Sequence, residues 1–159
     1  MNKIILAGKG ASGKDHLRKI LEGRGFTYGT SYTTRPPREG EIDGQDYFFL
    51  TEDQFKKYRE GNFWYEAVQF NGWWYGTSHK QFKVDCNLFI MTPKGISHIN
   101  PIDRKECTII YLDIPEKVRR QRLEDRNMPG DTIDRRMEAD EKDFASFTDY
   151  DIVINNSNF

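Results

Sequence analysis

The sequence predicts an α/β fold in which a parallel β-sheet core is flanked by helices and carries a β-rich insert. Three observations predict it. Short apolar or β-branched runs alternate with segments of helical period at both ends of the chain. A glycine-rich turn joins the first such run to the first helical segment. Between these ends the chain turns to hairpin and loop chemistry. At 159 residues, 36% of them hydrophobic, the chain is long enough for one domain with a real core and too short for two ordinary ones.

Residues 3–7 form a short apolar run that enters the glycine-rich turn, and Leu17, Ile20 and Leu21 then recur at helical spacing. Residues 27–50, rich in Gly, Thr, Pro and Arg, read as strands and loops. Thr51 with Gln54 makes a capping box that opens a helix ending near Gly61. Aromatic residues crowd 63–75 around Asn71-Gly72, the dipeptide of a two-residue hairpin turn. Ser78 with Gln81 marks another helix start, 88–91 a short strand, and Thr92-Pro93 an N-cap followed by the first helical residue. Residues 108–112 form a β-branched strand, and Pro115 begins a charged helix reaching about Arg126. Asn127-Met128-Pro129-Gly130 interrupts it, helical character resumes from Asp131 to about Phe144, and 151–154 is a last strand.

Twenty-four Lys and Arg against twenty-five Asp and Glu leave a net charge of -1. No whole-molecule field draws such a chain to nucleic acid or membrane, so any anion site must be local. The apolar run before Gly8 is too short for a signal peptide or a span, and a cytoplasmic protein is expected. Cys86 and Cys107 each head an apolar run and read as reduced, packed thiols, and no Cys and His cluster has zinc spacing.

Gly8-Lys9-Gly10-Ala11-Ser12-Gly13-Lys14-Asp15 follows the phosphate-loop pattern G-x-x-x-x-G-K-[ST] in all but its last position. The glycines let successive backbone N–H groups turn toward phosphate oxygens, the following helix presents its positive end, and Lys14 reaches the β and γ phosphates of ATP. Asp15 replaces the usual hydroxyl. A carboxylate there calls for a cation between it and the phosphates, so Asp15 is the expected Mg²⁺ ligand, directly or through water. The other reading of Asp15 is a helix-start acid favoured by the dipole and idle in catalysis.

Ser31-Tyr32-Thr33-Thr34-Arg35-Pro36-Pro37-Arg38-Glu39-Gly40-Glu41, followed by Gly44-Gln45-Asp46-Tyr47, puts two guanidiniums three residues apart around a stiff Pro-Pro, a geometry suited to clamping a monophosphate. With Phe63-Trp64-Tyr65-Glu66-Ala67-Val68-Gln69-Phe70 and Trp74-Tyr75-Gly76-Thr77, this block resembles guanylate kinase, and the resemblance runs from the phosphate loop to Ile154. It implies a P-loop NTPase fold with a nucleoside-monophosphate-binding insert at about 31–82, a core at about 1–30 and 83–159, and a short helical lid at about 122–140. It also implies ATP and GMP or dGMP as small-molecule substrates, Mg²⁺ as cofactor, and a monomer or weak homodimer.

By that resemblance Ser31, Tyr47 and Tyr75 join Arg35 and Arg38 on the acceptor phosphate. Glu66 faces N1–H and the 2-amino group of guanine, Thr77 stands where the family has a serine serving O6, and Asn155 lies beside the adenine of ATP. For Tyr47 and Tyr75 ordinary aromatic packing is the alternative, and for Glu66 a surface position on a hairpin strand. Arg122, Arg126 and Arg136 match family arginines at the lid and donor phosphates, where cations meet the charge that spreads over the moving phosphoryl group. Arg119 and Arg120 read instead as a solvated basic face.

The chain departs from the family at Ile90-Met91-Thr92-Pro93-Lys94-Gly95, where an Asp-x-Asp-x-x-Gly motif is expected and both acids are missing. Asp15 is the candidate replacement for the first, and Thr92 a neutral contact to the base in place of the second. Two other readings stay open at this point: a broader nucleotide or sugar-phosphate kinase, and a non-catalytic phosphopeptide-binding module of the same fold.

Overall fold

The computed structural model describes residues 2–127 and 130–159. Along the chain, β1 (Lys3–Gly8) leads through the glycine-rich turn into α1 (Lys14–Gly23). Two-residue strands β2 (Tyr32–Thr33) and β3 (Phe48–Phe49) precede α2 (Glu52–Glu60), and the hairpin β4 (Trp64–Phe70) and β5 (Trp73–Ser78) follows. A π-helical turn at Gln81–Asp85, β6 (Leu88–Ile90), α3 (Pro93–Ser97), α4 (Pro101–Arg104), β7 (Cys107–Leu112), α5 (Glu116–Asp125), α6 (Gly130–Phe144) and β8 (Ile152–Ile154) complete the order. Met128 and Pro129, in the expected break after α5, lie outside the described residues.

The strands sort into two sheets, ordered β6-β1-β7-β8 and β3-β2-β5-β4. The first is parallel throughout, with β1 paired to β6 on one side and β7 on the other. Its strands alternate between two apolar clusters, as a sheet covered on both faces requires. Ile5, Ala7, Phe89, Ile109 and Tyr111 pack toward Ile96 of α3, Phe144 of α6 and Phe82. Leu6, Leu88 and Leu112 pack toward Leu17 and Leu21 of α1 and Val118 of α5. Because β1 is central, the glycine-rich turn leaves the sheet from its middle, with helices on either side.

In the second sheet, β4 and β5 are antiparallel around Asn71 (φ 52°) and Gly72 (φ 81°), the left-handed pair that a type I′ turn demands. The turn fixes the register: Glu66 falls opposite Thr77, and Val68 opposite Tyr75. Helix α2 has the expected capping box, with the Gln54 N–H donating to Thr51 Oγ1 at 3.1 Å and the Thr51 N–H to Gln54 Oε1 at 2.9 Å. Its Phe55 stacks on Trp64 at 4.2 Å between centroids, seating the helix on the hairpin.

Ser78 and Gln81 do exchange hydrogen bonds at 2.9 and 3.1 Å, but the turn they open widens into the π-helical segment. The α4 turn was not anticipated, although Asn100-Pro101 repeats the cap chemistry of Thr92-Pro93, and the Asn100 side chain accepts from the Ile102 N–H at 2.9 Å. Cys86 and Cys107 are buried free thiols, as expected. Arg119 corrects the sequence reading: it is 2% exposed rather than solvated. Its Nε donates to the Ile114 carbonyl at 2.9 Å, tying α5 to the end of β7, and Arg120 alone reaches the surface, paired with Asp134 at 2.9 Å. Among the described residues no helix is long and apolar enough to cross a membrane.

Candidate active site

A cleft of about 380 Å³ opens between the two sheets at the end of β1. Its walls include Gly8, Gly10, Ala11, Ser12, Gly13, Lys14 and Asp15 from the loop and the first turn of α1. They also include Ser31, Arg35, Arg38, Tyr47, Glu66 and Tyr75 from the insert, with Thr92, Arg126 and Arg136. Sixteen sequence-selected residues, far apart in the chain, thus share one surface. Arg122, Thr77 and Asn155 do not line it.

Each of those three has a definite place. Thr77 is buried behind Glu66 and donates its hydroxyl to Glu66 Oε1 at 2.8 Å, the contact that the hairpin register sets up. Arg122 spans the loop and the last residues, donating to the Ala11 carbonyl at 2.8 Å and to the Ser157 carbonyl at 3.3 Å. Asn155 is exposed just beyond β8.

The phosphate loop is built for an anion. Gly13, at φ 98°, takes the left-handed turn that a side chain would resist and so delivers the chain into α1. Lys14 Nζ donates to the carbonyls of Gly8 and, at 3.1 Å, of Lys9, which keeps the ammonium inside the loop. Burial pushes its pKa down to about 8, while Asp140 opposes that shift and Arg136 adds to it. The Asp15 carboxylate stands at the first turn of α1, 80% exposed and loosely paired with Arg18 at 3.3 Å.

On the insert, Arg35 and Arg38 are not equivalent. Arg35 is buried and held in a bidentate fork by Glu41, with N–O distances of 2.8 and 2.9 Å. Glu41 also accepts from the Arg38 N–H at 2.7 Å, so one carboxylate organises the whole clamp. The fork holds the Arg35 pKa above its usual range and that of Glu41 below. The Arg38 side chain turns into the cleft, where burial, then Arg35 and Arg136, push its pKa down. Tyr47 lies under the Arg35 guanidinium at 5.1 Å and edge-on to Tyr75 at 6.0 Å.

Glu66 is 6% exposed, so it is no surface residue of a hairpin strand. Burial raises its pKa to about 7, against the lowering effect of the Thr77 hydrogen bond. Thr92 serves as the N-cap of α3, accepting from the Gly95 N–H at 3.1 Å, and also lines the cleft.

Sequence reasoning missed three acids. Glu41 is the counter-ion of the clamp. Asp140 and Asp143, on α6, line the cleft beside the loop. They stand four and seven residues after Arg136, hence on its face of the helix, a spacing that becomes a signal once Arg136 is assigned to the site. Burial and then Asp140 push the Asp143 pKa up.

Comparison with known proteins follows the same lines. A sequence model described as guanylate kinase matches residues 1–159. The guanylate kinase of Onion yellows phytoplasma is 37% identical over 122 residues, covering 72% of this chain and 58% of that protein. The guanylate kinases of Sulfurimonas denitrificans and Bacillus subtilis are each 32% identical, over 164 and 166 residues, covering 98% of this chain and 80% of theirs. The chain thus spans less than two-thirds of the phytoplasma protein and about four-fifths of the other two. The crystal structure of guanylate kinase from Anaplasma phagocytophilum superposes with a TM-score of 0.74 at 22% identity, covering 98% of this chain and 76% of that one, a likeness of fold. A cleft that joins a phosphate loop to a two-arginine clamp, on a chain matched from first residue to last, leads to one conclusion: this protein belongs to the guanylate kinase family.

Proposed function

We propose that the protein transfers the γ-phosphoryl group of ATP to the phosphate of GMP or dGMP, yielding ADP and GDP or dGDP. The observation that carries this reading is the meeting of Lys14, Arg38 and Arg136. One comes from the phosphate loop, one from the clamp and one from α6; all three line the cleft, and the charge of Arg136 reaches both Lys14 and Arg38. Cations from three elements on one cleft are what a phosphoryl group in flight requires.

In this mechanism the loop amides and Lys14 hold the donor phosphates, with Arg122 bracing the loop through the Ala11 carbonyl. Asn155 is assigned to the adenine by the resemblance alone. Arg35, Arg38, Ser31, Tyr47 and Tyr75 hold the acceptor phosphate, and Glu66, supported by Thr77 and joined by Thr92, reads the base. An oxygen of the acceptor phosphate attacks the γ-phosphorus, the bond from that phosphorus to the β–γ bridging oxygen breaks, and ADP leaves. The acceptor oxygen is already ionised near neutral pH, so no general base is needed and positioning with electrostatics does the work. Arg126 and Arg136 meet the charge that develops.

The exposed Asp15 carboxylate is a hard oxygen donor beside the loop and suits a hydrated Mg²⁺. Among the described residues no group of three or more His, Cys, Asp or Glu is assembled to hold a metal, so the remaining ligands would be phosphate oxygens and water. Held there, Mg²⁺ would supply charge neutralisation to the donor phosphates. The insert at about 31–82 acts as the acceptor-binding part and about 122–140 as a lid, in a cytoplasmic monomer or weak homodimer.

A coupled assay of ADP release across ribo- and deoxynucleoside monophosphates, with and without Mg²⁺, tests the reading. Turnover should require Mg²⁺ and favour GMP or dGMP over AMP, CMP and UMP by roughly 10⁴-fold, the discrimination that a buried hydrogen-bonding site supports. Comparable rates with all bases would point to a broader kinase. Failure to bind ATP in calorimetry would leave a non-catalytic binding module.

A further inference from the structure

We propose that Asp140 is a positioning residue of the donor site: its buried carboxylate anchors the third residue of the phosphate loop to α6 and thereby fixes Arg136 opposite Lys14. The Asp140 side chain is 6% exposed, and its Oδ2 accepts from the Gly10 N–H at 2.9 Å. Gly10 is packed so closely against α6 that a Cβ there would stand 2.7 Å from Arg136 Nε and 3.1 Å from Asp140 Oδ2. A side chain at this position would have to displace the Arg136 and Asp140 side chains from the loop. The neighbouring residues repeat the arrangement, with Lys9 Nζ 2.6 Å from Glu141 Oε1. Consecutive loop residues are therefore held by consecutive acids of α6.

The two tethers differ in strength. Glu141 is 59% exposed, and an ion pair open to water contributes little. The bond from Gly10 is buried and charge-assisted, the stronger class. A buried carboxylate is tolerated only where it is compensated. Around Asp140 the compensation is the Gly10 N–H and Lys14 of α1, with Asp143 on the same helix as the opposing charge. Lys14 and Arg136 repel each other, and Asp140 lies where it offsets that repulsion before any triphosphate arrives.

The consequence for catalysis is geometric. Arg136 and Asp140 are one helical turn apart on the same face, so fixing Asp140 on the loop fixes the direction from which Arg136 approaches. A displacement of about 1 Å at such a site is enough to cost about 10²-fold in rate. This role is distinct from metal binding or base recognition and touches the substrates only through Gly10 and Arg136.

Hydrogen exchange of the loop amides at 8–14 and steady-state kinetics, applied to Asp140→Ala and Asp140→Asn, test the proposal. Asp140→Ala should speed exchange in the loop about tenfold or more, the loss of a buried charged hydrogen bond, and lower kcat at least about tenfold with KM for GMP changed less than about threefold. Asp140→Asn keeps an acceptor for Gly10 but not the charge, so its loss should be clearly smaller than that of Asp140→Ala in both readouts. In an Arg136→Ala background, Asp140→Ala should cost less than about threefold more, since it acts through the residue already removed. Unchanged loop exchange in Asp140→Ala would overturn the anchoring, and full additivity with Arg136→Ala would overturn the route through Arg136. If Asp140→Ala does not fold, Gly10→Ala, which separates the same contact from the loop side, must show the faster exchange and the same non-additivity. The kinetic part rests on the kinase reading. The exchange part does not, so a parent protein without turnover would defeat that reading while the anchoring is still decided by exchange.

Discussion

Among single residues, Glu66 carries a charge state that the fold sets rather than the side chain. An ordinary glutamate titrates near 4.5, and burial moves Glu66 to about 7. The folded state therefore holds this proton more tightly than the unfolded chain does. The stabilisation is complete below about pH 4.5 and is lost as pH climbs through about 7. Glu66→Gln removes the dependence, so relative to that variant the parent should gain stability in chemical unfolding as pH falls from 8 to 5. Under the proposed function base recognition should run the other way, because only the carboxylate accepts two N–H donors. The preference for GMP over inosine monophosphate, which lacks the 2-amino group, should shrink about three- to tenfold between pH 8 and pH 6. A ratio flat across that window would remove Glu66 from the base.

The same residue shows what the sequence reveals and what it leaves out. Its place opposite Thr77 follows from Asn71-Gly72, because a two-residue turn leaves the hairpin one register. That it is buried does not follow from the alternation of the strand, which would have allowed it to face water. Asp140 was missed for a related reason: its spacing from Arg136 puts it on the face of the site, but only the approach of the loop, 130 residues away in sequence, buries it. Arg119 likewise belongs to a run of charge that looks solvated until the end of β7 supplies a carbonyl for it.

At the level of elements, helix α2 and the hairpin form one aromatic unit behind the acceptor clamp. Phe55 stacks on Trp64 and Trp74, and Gly76 lies directly beneath. A Cβ on Gly76 would meet Trp64 Cε3 at 2.7 Å and Phe55 Cζ at 3.2 Å. Gly76→Ala should therefore destabilise the protein by about 1–3 kcal/mol in denaturant unfolding, the usual cost of overpacking. It should also weaken GMP binding, since Tyr75 and Thr77 flank the site of the change, while ATP binding stays near that of the parent. Loss of ATP binding to the same extent as GMP binding would mean that the two sheets respond as one. Capping signals read α2 and α3 correctly, whereas α4, of four residues, is too short for any periodicity to report.

For the molecule as a whole, the division into two sheets puts the donor loop on one and the acceptor clamp on the other. The parallel sheet was legible because its strands are separated by helices of recognisable period. The small sheet was less so, since β2 and β3 are two residues each and exist only through their neighbours. A ligand that touches both sides should gain from both. An analogue joining adenosine to guanosine through a chain of phosphates should raise the melting temperature beyond the effect of ATP or GMP alone and reduce the radius of gyration in small-angle scattering. An unchanged radius would mean that the cleft is already closed.

The fork between Arg35 and Glu41 has a bearing on how the acceptor is held in solution. A guanidinium already neutralised by an internal carboxylate releases no mobile salt ion when a phosphate arrives; it shares, or exchanges, a fixed one. Arg38, without such a fork, is the member of the clamp whose attraction ionic strength can screen. The clamp thus behaves toward salt as one charge while offering the geometry of two, and on the proposed function acceptor binding should be less sensitive to the ionic medium than its pair of arginines suggests.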